Sequence, residues 1–159
     1  MKKASIISAM LGLACLTTKA SDWKQWSVVV APVYSVAVTD FKFENARQGG
    51  GVAVEVFALD NLGIQVQGTS FTANDNVIDE ASVQLNYYVP LSSTSPFSLV
   101  ASLGTLKGIE LNEDWHYKVG AGLVAKMSEK ISGRVGAYLV DDFRNTSELR
   151  LEGAVGYTF

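Results

Sequence analysis

Apolar and polar residues alternate along most of the chain after Trp26, with a period of two residues. This period predicts β-strands, because successive side chains of a strand point to opposite faces of the sheet. No stretch of comparable length shows helical periodicity. Eight stretches are predicted as strands, over residues 26–39, 49–59, 62–72, 80–90, 97–107, 115–127, 131–140 and 148–159. The pattern therefore predicts an all-β domain.

The segments between the predicted strands carry turn-forming residues. Asp-Asn-Leu-Gly at 60–63 suits a tight hairpin, the segment from Pro90 to Pro96 interrupts any strand, and residues 128–130 are short and polar. Longer connections separate the other strands, at 40–48, 73–79, 108–114 and 141–147. This rough alternation of short and long connections is expected when antiparallel strands run up and down and their loops gather at two opposite ends.

The two faces of each predicted strand differ in chemistry. In the strand at 80–90, one face is mostly apolar (Ala81, Val83, Leu85, Tyr87, Val89) and the other is polar (Ser82, Gln84, Asn86, Tyr88). A soluble barrel or sandwich would bury the apolar face, whereas a membrane barrel turns it towards lipid and keeps the polar face inside. Alternation alone does not distinguish these two arrangements.

Three features favour the membrane arrangement. The polar faces are rich in Gly, Ser, Gln and Asn, their charges are few and mixed in sign, and aromatic residues gather near the strand ends. We expect one aromatic girdle from Trp23, Trp26, Phe97, Tyr157 and Phe159, and a second from Phe41, Phe43, Phe71, Trp115, Tyr117 and Phe143. Most predicted strands approach the length of about 9–11 residues that crosses a bilayer. The sequence thus predicts an eight-stranded antiparallel up-and-down transmembrane β-barrel, closed so that no edge is left unpaired in lipid.

The first strand contains a proline, Pro32, which cannot donate a ladder hydrogen bond. A closed barrel has no free edge on which to place it, so we expect a bulge or bend at this position. The sequence does not assign which residues of this strand face inwards.

The first twenty residues resemble a signal peptide. A basic start, a short apolar run from Ile6 to Leu16 and a small residue at Ala20 predict cleavage after Ala20, which leaves residues 21–159 as the barrel domain. A lipoprotein signal ending at Cys15 is the alternative, but Leu13 stands where a small residue is expected. Cleavage after Ala20 would leave a chain without cysteine, held together without disulfides.

The net charge of the chain and the positions of its acidic residues bear on its possible partners. Without residues 1–20 the chain has 10 basic and 16 acidic residues, a net charge of −6, which argues against nucleic acid as a partner. Eleven acids lie in or beside the longer connections: Asp40, Glu44, Asp75, Asp79, Glu80, Glu110, Glu113, Asp114, Asp141, Asp142 and Glu148. Four bases accompany them: Lys42, Arg47, Lys107 and Arg144. We interpret these residues first as a solvated rim. The alternative is that divalent cations bridge the acids to lipopolysaccharide phosphates. No loop has the ligand spacing of a calcium motif, so we expect neither a resident metal nor a cofactor.

The last predicted strand carries a resemblance. It alternates through Leu151, Val155 and Tyr157 and ends in Phe159 on the same face. This ending resembles the C-terminal signal of outer-membrane barrels, and the chain as a whole resembles the small eight-stranded barrels of OmpA/OmpX type. The resemblance implies that Val155, Tyr157 and Phe159 form an assembly signal. It also implies that the barrel-assembly machinery and periplasmic chaperones are partners, and that both termini are periplasmic.

Five charged residues fall on the predicted inner face: Glu55, Lys118, Arg134, Arg150 and Glu152. Because an unpaired buried charge is unfavourable, we expect them to form an interior charge network. A gated proton or ion path is the alternative. An eight-stranded barrel is just wide enough to be filled by its own side chains, here Gln65, Gln67, Gln84, Asn86, Arg134 and Tyr138. An open diffusion pore is therefore not expected.

His116 is the only histidine of the chain. A lipid A-modifying barrel enzyme would need a histidine with a serine and an acid nearby. The deacylase family of this size has a serine two residues further on, where this chain has Lys118. We therefore expect a non-enzymatic, monomeric barrel in contact with outer-membrane lipid and lipopolysaccharide, with a structural or surface-interaction role. An adhesin or small-ligand barrel, and then a lipid A-modifying enzyme, are the alternatives.

Overall fold

Eight strands form one closed barrel. The computed structural model describes residues 23–39, 41–71, 78–93, 95–108, 115–141 and 147–159, so the predicted signal peptide and Cys15 lie outside the described residues. The strands are β1 (Val28–Thr39), β2 (Arg47–Leu59), β3 (Leu62–Phe71), β4 (Glu80–Pro90), β5 (Phe97–Gly108), β6 (His116–Lys126), β7 (Ile131–Asp141) and β8 (Ser147–Thr158). Each strand pairs antiparallel with the next, and β8 pairs with β1. This confirms the predicted all-β, up-and-down barrel.

The ends of the strands differ from the predicted ends by no more than two residues. The connections fall into two groups at opposite ends of the barrel. The turn end, as we call it, carries residues 60–61, 91–96 and 127–130, and the loop end is where the strands flanking 40–46, 72–79, 109–115 and 142–146 meet. In the described part of the chain, no helix is long and apolar enough to cross a membrane.

The tightest connection is the two-residue turn between β2 and β3. Asn61 has a φ of 63°, in the left-handed region, where asparagine is better tolerated than most residues. Its backbone N–H donates to the carbonyl of Trp23 at 3.2 Å, and its carbonyl accepts from the backbone N–H of Tyr88 at 2.9 Å. The turn predicted at 60–63 is therefore present, and it also ties the segment before β1 to β4.

The strand faces are distributed as a membrane barrel requires. Val66 is 54% exposed, whereas its neighbours Gln65 and Gln67 are 0% and 2% exposed. The same alternation holds around the barrel and leaves apolar side chains on the outer wall at Val52, Val54, Ile64, Val83, Leu85, Leu99, Leu103, Leu123, Val135, Leu139, Leu151 and Val155. The apolar faces predicted from the sequence are therefore the outer faces.

The phase of β1 is set by its pairing on both sides. Val29, Val33 and Ser35 are buried, while Pro32 is exposed on the outer wall. The expectation of a bulge at Pro32 is wrong, because the register with β2 is constant from Val28 to Ala37. Instead, pairing with β8 stops at residues 31 and 32 and resumes in the same register. The missing N–H of proline is accommodated by opening the ladder on one side, without an extra residue.

Two aromatic residues do not belong to the girdles. Trp26, Phe97, Tyr157 and Phe159 are exposed at the turn end, and Phe41, Phe43, Trp115 and Tyr117 are exposed at the loop end. Phe143 lies outside the described residues. Trp23 and Phe71 were wrongly assigned, since they are 3% and 2% exposed. Phe71 shares the inward phase of Gln67 and Thr69, and this phase decides its direction more strongly than its place at a strand end.

Trp23 closes the barrel interior at the turn end. Its ring stacks on Phe57 at a centroid distance of 4.9 Å and meets the Tyr88 ring at 5.2 Å. The Lys126 ammonium lies 4.5 Å from the centre of the Trp23 ring. Together with Val29, Val100 and Val124, these rings form a small apolar core inside the barrel.

Glycines on the inner wall make room for a large interior ring. A Cβ atom added to Gly120 would lie 2.5 Å from Cδ1 of Tyr138, and one added to Gly136 would lie 2.8 Å from its hydroxyl. Tyr138 is 1% exposed, so its ring lies across a wall without side chains. The glycines on the inner faces of β6 and β7 are therefore required for the packing of the Tyr138 ring.

We predict that Trp23→Ala destabilises the barrel by about 3 to 5 kcal/mol, because it removes a buried ring and leaves a cavity between Phe57 and Tyr88. Trp26→Ala is the matched control: Trp26 is 72% exposed, and its loss is expected to change stability by about 0.5 kcal/mol or less. Urea unfolding of the reconstituted proteins measures both. Equal destabilisation by the two variants would contradict the assignment of Trp23 to the core.

Candidate functional site

The charged residues of the interior form three groups of ion pairs, and hydrogen bonds through Gln65 and Gln67 connect the first two. Glu55, Lys118, Arg134, Arg150 and Glu152 all point into the barrel, with side chains at most 12% exposed. The structure pairs Glu55 with Arg134 and Lys118 with Glu152, and it pairs Arg150 with two acids that the sequence-based network did not include. The three groups lie one above another along the barrel.

The group nearest the turn end surrounds the Glu55 carboxylate. Arg134 Nη1 lies 3.5 Å from Glu55 Oε2, the Tyr88 hydroxyl donates to the same oxygen at 2.7 Å, and Asn86 Nδ2 donates to Oε1 at 2.9 Å. Arg134 Nη2 also donates to Gln65 Oε1 at 2.6 Å. Both oxygens of the buried carboxylate are therefore occupied, as a charge in a low-dielectric interior requires.

Amide and hydroxyl groups extend this arrangement along the wall. Gln65 donates to Gln67 at 2.9 Å and Gln84 donates to Asn86 at 3.2 Å. The Ser102 hydroxyl donates to the side-chain amide oxygen of Asn86, Oδ1, at 2.7 Å. Side chains of one strand thus bond to each other at i and i+2, the spacing that keeps residues on one face. Most of the interior is filled by hydrogen-bonded side chains, and a small space of about 20 Å³ beside Glu55 and Arg134 has room for about one water molecule.

The middle group is an ion pair between β6 and β8. Lys118 Nζ lies 2.7 Å from Glu152 Oε1, and both side chains are at most 4% exposed. Gln67 Nε2 donates to the same oxygen at 3.3 Å. The Lys118 ammonium also lies 4.3 Å from the centre of the Tyr138 ring, a cation–π contact. The glycines beneath Tyr138 therefore also position a partner of the buried lysine.

The group at the loop end centres on Arg150. Its guanidinium contacts Glu80 at 2.6 Å and also pairs with Glu148. Arg47 Nη2 lies 2.8 Å from the second oxygen of Glu148. The ring of Phe71 is contacted by both guanidinium groups, at 4.9 Å from Arg47 and 5.3 Å from Arg150. Phe71 therefore supports the ion pairs instead of facing lipid.

Sequence reasoning placed Arg47, Glu80 and Glu148 in the acidic rim and missed their role. A signal was present in the sequence, because Glu80 is in phase with Ser82 and Glu148 is in phase with Arg150. Because these residues lie at strand ends, sequence reasoning assigned them to the loops and not to the inner faces. Among the described residues, the ion pairs of the interior and its loop-end mouth involve four acidic and four basic side chains: Glu55, Glu80, Glu148 and Glu152 with Arg47, Lys118, Arg134 and Arg150.

The other candidate residues lie at the loop end. His116 begins β6 there and is only partly exposed. Among the described residues, no group of three His, Cys, Asp or Glu side chains is arranged to hold a metal ion. Seven charged loop residues lie outside the described residues: Asp40, Asp75, Glu110, Glu113, Asp114, Asp142 and Arg144.

The residues of the predicted assembly signal lie on the outer wall. Val155, Tyr157 and Phe159 are 54%, 42% and 75% exposed. The Tyr157 and Phe159 rings meet edge to face at 4.9 Å, and the Phe159 backbone N–H donates to the Val28 carbonyl at 2.9 Å. The last residues of the chain therefore take part in the seam between β8 and β1.

No protein-family model matches the chain, and no curated protein sequence matches it. Solved structures do match. The N-terminal β-barrel domain of OprF from Pseudomonas aeruginosa has a TM-score of 0.67 at 15% identity, over 85% of this chain and 98% of that one. Ail, the attachment invasion locus protein of Yersinia pestis, solved with the heparin analogue sucrose octasulfate, has a TM-score of 0.60 at 13% identity, over 85% and 99%. A de novo designed transmembrane β-barrel has a TM-score of 0.58 at 13% identity, over 86% and 98%.

At these identities the likeness shows the fold alone. The chain has the fold of the small eight-stranded outer-membrane barrels, as the resemblance implied. The match covers 98% of a natural barrel and 98% of a designed one, so the fold by itself does not select an activity.

We predict that Arg134→Ala destabilises the barrel by about 3–5 kcal/mol, because Glu55 loses its charged partner while remaining buried. The control is Arg47→Ala, whose side chain is 45% exposed and whose ion pairs are expected to contribute about 0.2–1 kcal/mol. Urea unfolding in detergent or lipid gives both free energies. An Arg134 variant as stable as the parent would show that the Glu55 pair is not required inside the barrel.

Proposed function

We propose that this chain is an integral protein of the bacterial outer membrane with a structural or cell-surface interaction role. The observation that carries the proposal is the inversion of the barrel, with a belt of exposed Val, Leu and Ile outside and paired charges inside. A soluble protein rarely exposes so large an apolar surface. Lipid supplies the apolar environment that this wall needs, and closure leaves no backbone edge in it.

The proposed orientation puts the turn end, and with it both chain termini, in the periplasm. Short turns on the periplasmic side and longer loops outside are the general arrangement of such barrels. The two ends also differ in charge: Lys24, Lys126 and Lys130 lie at the turn end, whereas most acidic residues belong to the loop end. In this orientation the outer loops face lipopolysaccharide, and divalent cations shared with its phosphates are the contact that we expect there.

A structural role without a pore is supported by the packed interior. Glutamine, asparagine and tyrosine side chains at Gln65, Gln84, Asn86 and Tyr138 are at most 1% exposed. Trp23 seals the turn end and the ion pairs around Arg150 cross the loop end. For the residues that the structure describes, this packing supports the proposal that solutes have no continuous path through the barrel.

An adhesin or ligand-binding role is the main alternative, and its site would be the loop end. Ail, which has the same fold, was solved with a sulfated heparin analogue. The acidic excess of the loop end in this chain disfavours polyanionic ligands of that kind and favours cationic partners. We propose that the protein is not an enzyme. The single histidine, at the loop end, is followed two residues later by the buried Lys118 and not by a serine.

The proposal is tested by cell fractionation. The protein is expected to sediment with outer membranes and to migrate faster on gels when it is not heated, because a closed barrel resists unfolding in detergent. Recovery in the soluble periplasmic fraction would overturn the proposed location.

We predict that the reconstituted protein gives no large steady current in planar bilayers, because side chains fill the barrel. Trp23→Ala is a useful comparison, since it removes the apolar seal but keeps the ion pairs. A reproducible porin-sized current from the parent protein would contradict a structural role without a pore.

We predict that deleting Phe159 slows assembly in cells and leaves protein in the periplasm, while purified protein still refolds in detergent. The physical reason is that Phe159 is 75% exposed, so its loss removes little packing, whereas the assembly machinery would lose part of its signal. Val155→Lys is the contrasting variant, expected to destabilise the inserted barrel, because a lysine on the lipid face costs about 2–4 kcal/mol at the bilayer midplane and less towards the interface, and Val155 lies three positions from the turn-end residue Thr158. Normal assembly of the Phe159 deletion in cells would remove the assembly-signal interpretation.

A further inference from the structure

A groove interrupts the outer wall between β6 and β8. Two glycines on adjacent strands, Gly133 in β7 and Gly153 in β8, occupy outward positions. Gly133 is paired with Ala125 and Val155, and Gly153 is paired with Val135 and Tyr34. A Cβ atom added to Gly153 would meet nothing within 4 Å. The groove has a volume of about 460 Å³, and the apolar side chains along it are Leu123, Met127, Val135 and Val155.

The groove runs from the turn end towards the middle of the barrel. Met127 lies in the turn between β6 and β7, and Gly153 precedes the last residue of β8, Thr158, by five positions. Five residues span roughly 17 Å along a strand. A strand tilt of about 40° reduces this to roughly 13 Å of depth, close to half of a hydrocarbon core of about 30 Å. An acyl chain that starts at the membrane interface would follow this direction.

A cationic depression adjoins the groove at the turn end. It has a volume of about 440 Å³, and Lys24, Lys126 and Lys130 line it together with one acid, Glu129. The groove and the depression are both lined by residues of the turn between β6 and β7: Met127 lies along the groove, and Glu129 and Lys130 line the depression. Lys126 is directed to the barrel interior, where its ammonium contacts the Trp23 ring. The Lys130 ammonium lies 5.9 Å from the centre of the exposed Tyr157 ring, which places a positive charge beside the outer wall.

We propose that the groove and the depression together bind one anionic glycerophospholipid, such as phosphatidylglycerol, with an acyl chain beside Gly153 and the phosphate near Lys130. The inference rests on the proposed function, because the orientation puts this end in the phospholipid leaflet. Charge complementarity selects the ligand: clustered lysines at a membrane interface attract anionic headgroups, and an aromatic ring at the same depth anchors the interface. Gly153 supplies a space that a lipid tail fills without displacing a side chain, whereas the space above Gly133 is already occupied by the Met127 side chain, which forms part of the groove wall.

Native mass spectrometry of the purified barrel, with phosphatidylglycerol or phosphatidylcholine of the same acyl chains added, tests the proposal. One phosphatidylglycerol is expected to remain bound per barrel, and phosphatidylcholine is expected to be retained less. Gly153→Leu should lower the occupancy of both lipids by filling the groove. Lys130→Ala should lower only that of phosphatidylglycerol, by about fivefold, as expected for the loss of one lysine near an anionic surface.

Two variants serve as matched controls. Gly50 in β2 is also exposed on the outer wall, and its nearest neighbour to an added Cβ is a carbonyl oxygen at 3.8 Å, so Gly50→Leu should leave lipid retention unchanged. Lys107 lies 5.7 Å from the Trp115 ring at the loop end, so Lys107→Ala matches Lys130→Ala in chemistry but not in position. Because Lys130 is exposed, its variant is expected to fold even if Gly153→Leu does not.

Equal retention of the two phospholipids by the parent protein, or unchanged retention in both Lys130→Ala and Gly153→Leu, would overturn the inference. A preference for lipid A over phosphatidylglycerol would overturn the assigned lipid class, and a lipid-free dimer that Gly153→Leu dissociates would show that a second copy occupies the groove. A barrel recovered from outer membranes that binds no phosphatidylglycerol defeats this inference alone. Absence of the parent protein from outer membranes would instead defeat the proposed function.

Discussion

The structure depends on one constraint: no backbone group and no charge can remain unpaired where water is excluded. Closure between β1 and β8 satisfies the backbone except at residues 31 and 32, where this ladder is interrupted, and it forces every second residue into an interior about one side chain wide. The polar residues must then pair with each other. Glu55 meets Arg134, Tyr88 and Asn86, while Lys118 meets Glu152. The apolar outer wall and the hydrogen-bonded interior are thus two results of the same requirement.

Much of the fold could be predicted from the sequence because the period of two residues is a local property. It located all eight strands and, in six of them, the faces on which the apolar and polar residues lie. The faces of β1 could not be assigned. Its sequence, Val-Val-Val-Ala-Pro-Val-Tyr, is apolar on both sides, and only pairing with β2 and β8 reveals which side is inside. The effect of Pro32 was likewise decided by the ladder on one side, which no local pattern records.

The composition of the interior could be predicted, but its partners could not. Phase alone put Glu55, Lys118, Arg134, Arg150 and Glu152 inside, whereas their pairing depends on how strands distant in sequence are staggered around the barrel. Phe71 and Trp23 were misplaced because aromatic residues at strand ends were assigned to girdles. Phe71 follows the phase of its strand, and Trp23 precedes the first strand and folds back through contacts with Phe57 and Asn61. Contacts of this kind are tertiary and leave no mark on local periodicity.

The two ends of the barrel are closed by different physical means. At the turn end the closure is apolar, from Trp23, Phe57 and Tyr88, and such burial is almost insensitive to salt. At the loop end the closure is ionic, and Arg47, which shares Glu148 with Arg150, is partly exposed. Exposed ion pairs weaken as salt screens them, whereas the deeper Lys118–Glu152 pair is shielded. Of the two closures, salt can therefore weaken mainly the ionic one at the loop end, which is the end that we propose to face the cell exterior. A binding partner at this end would meet Arg47, which is the most exposed side chain of these ion pairs.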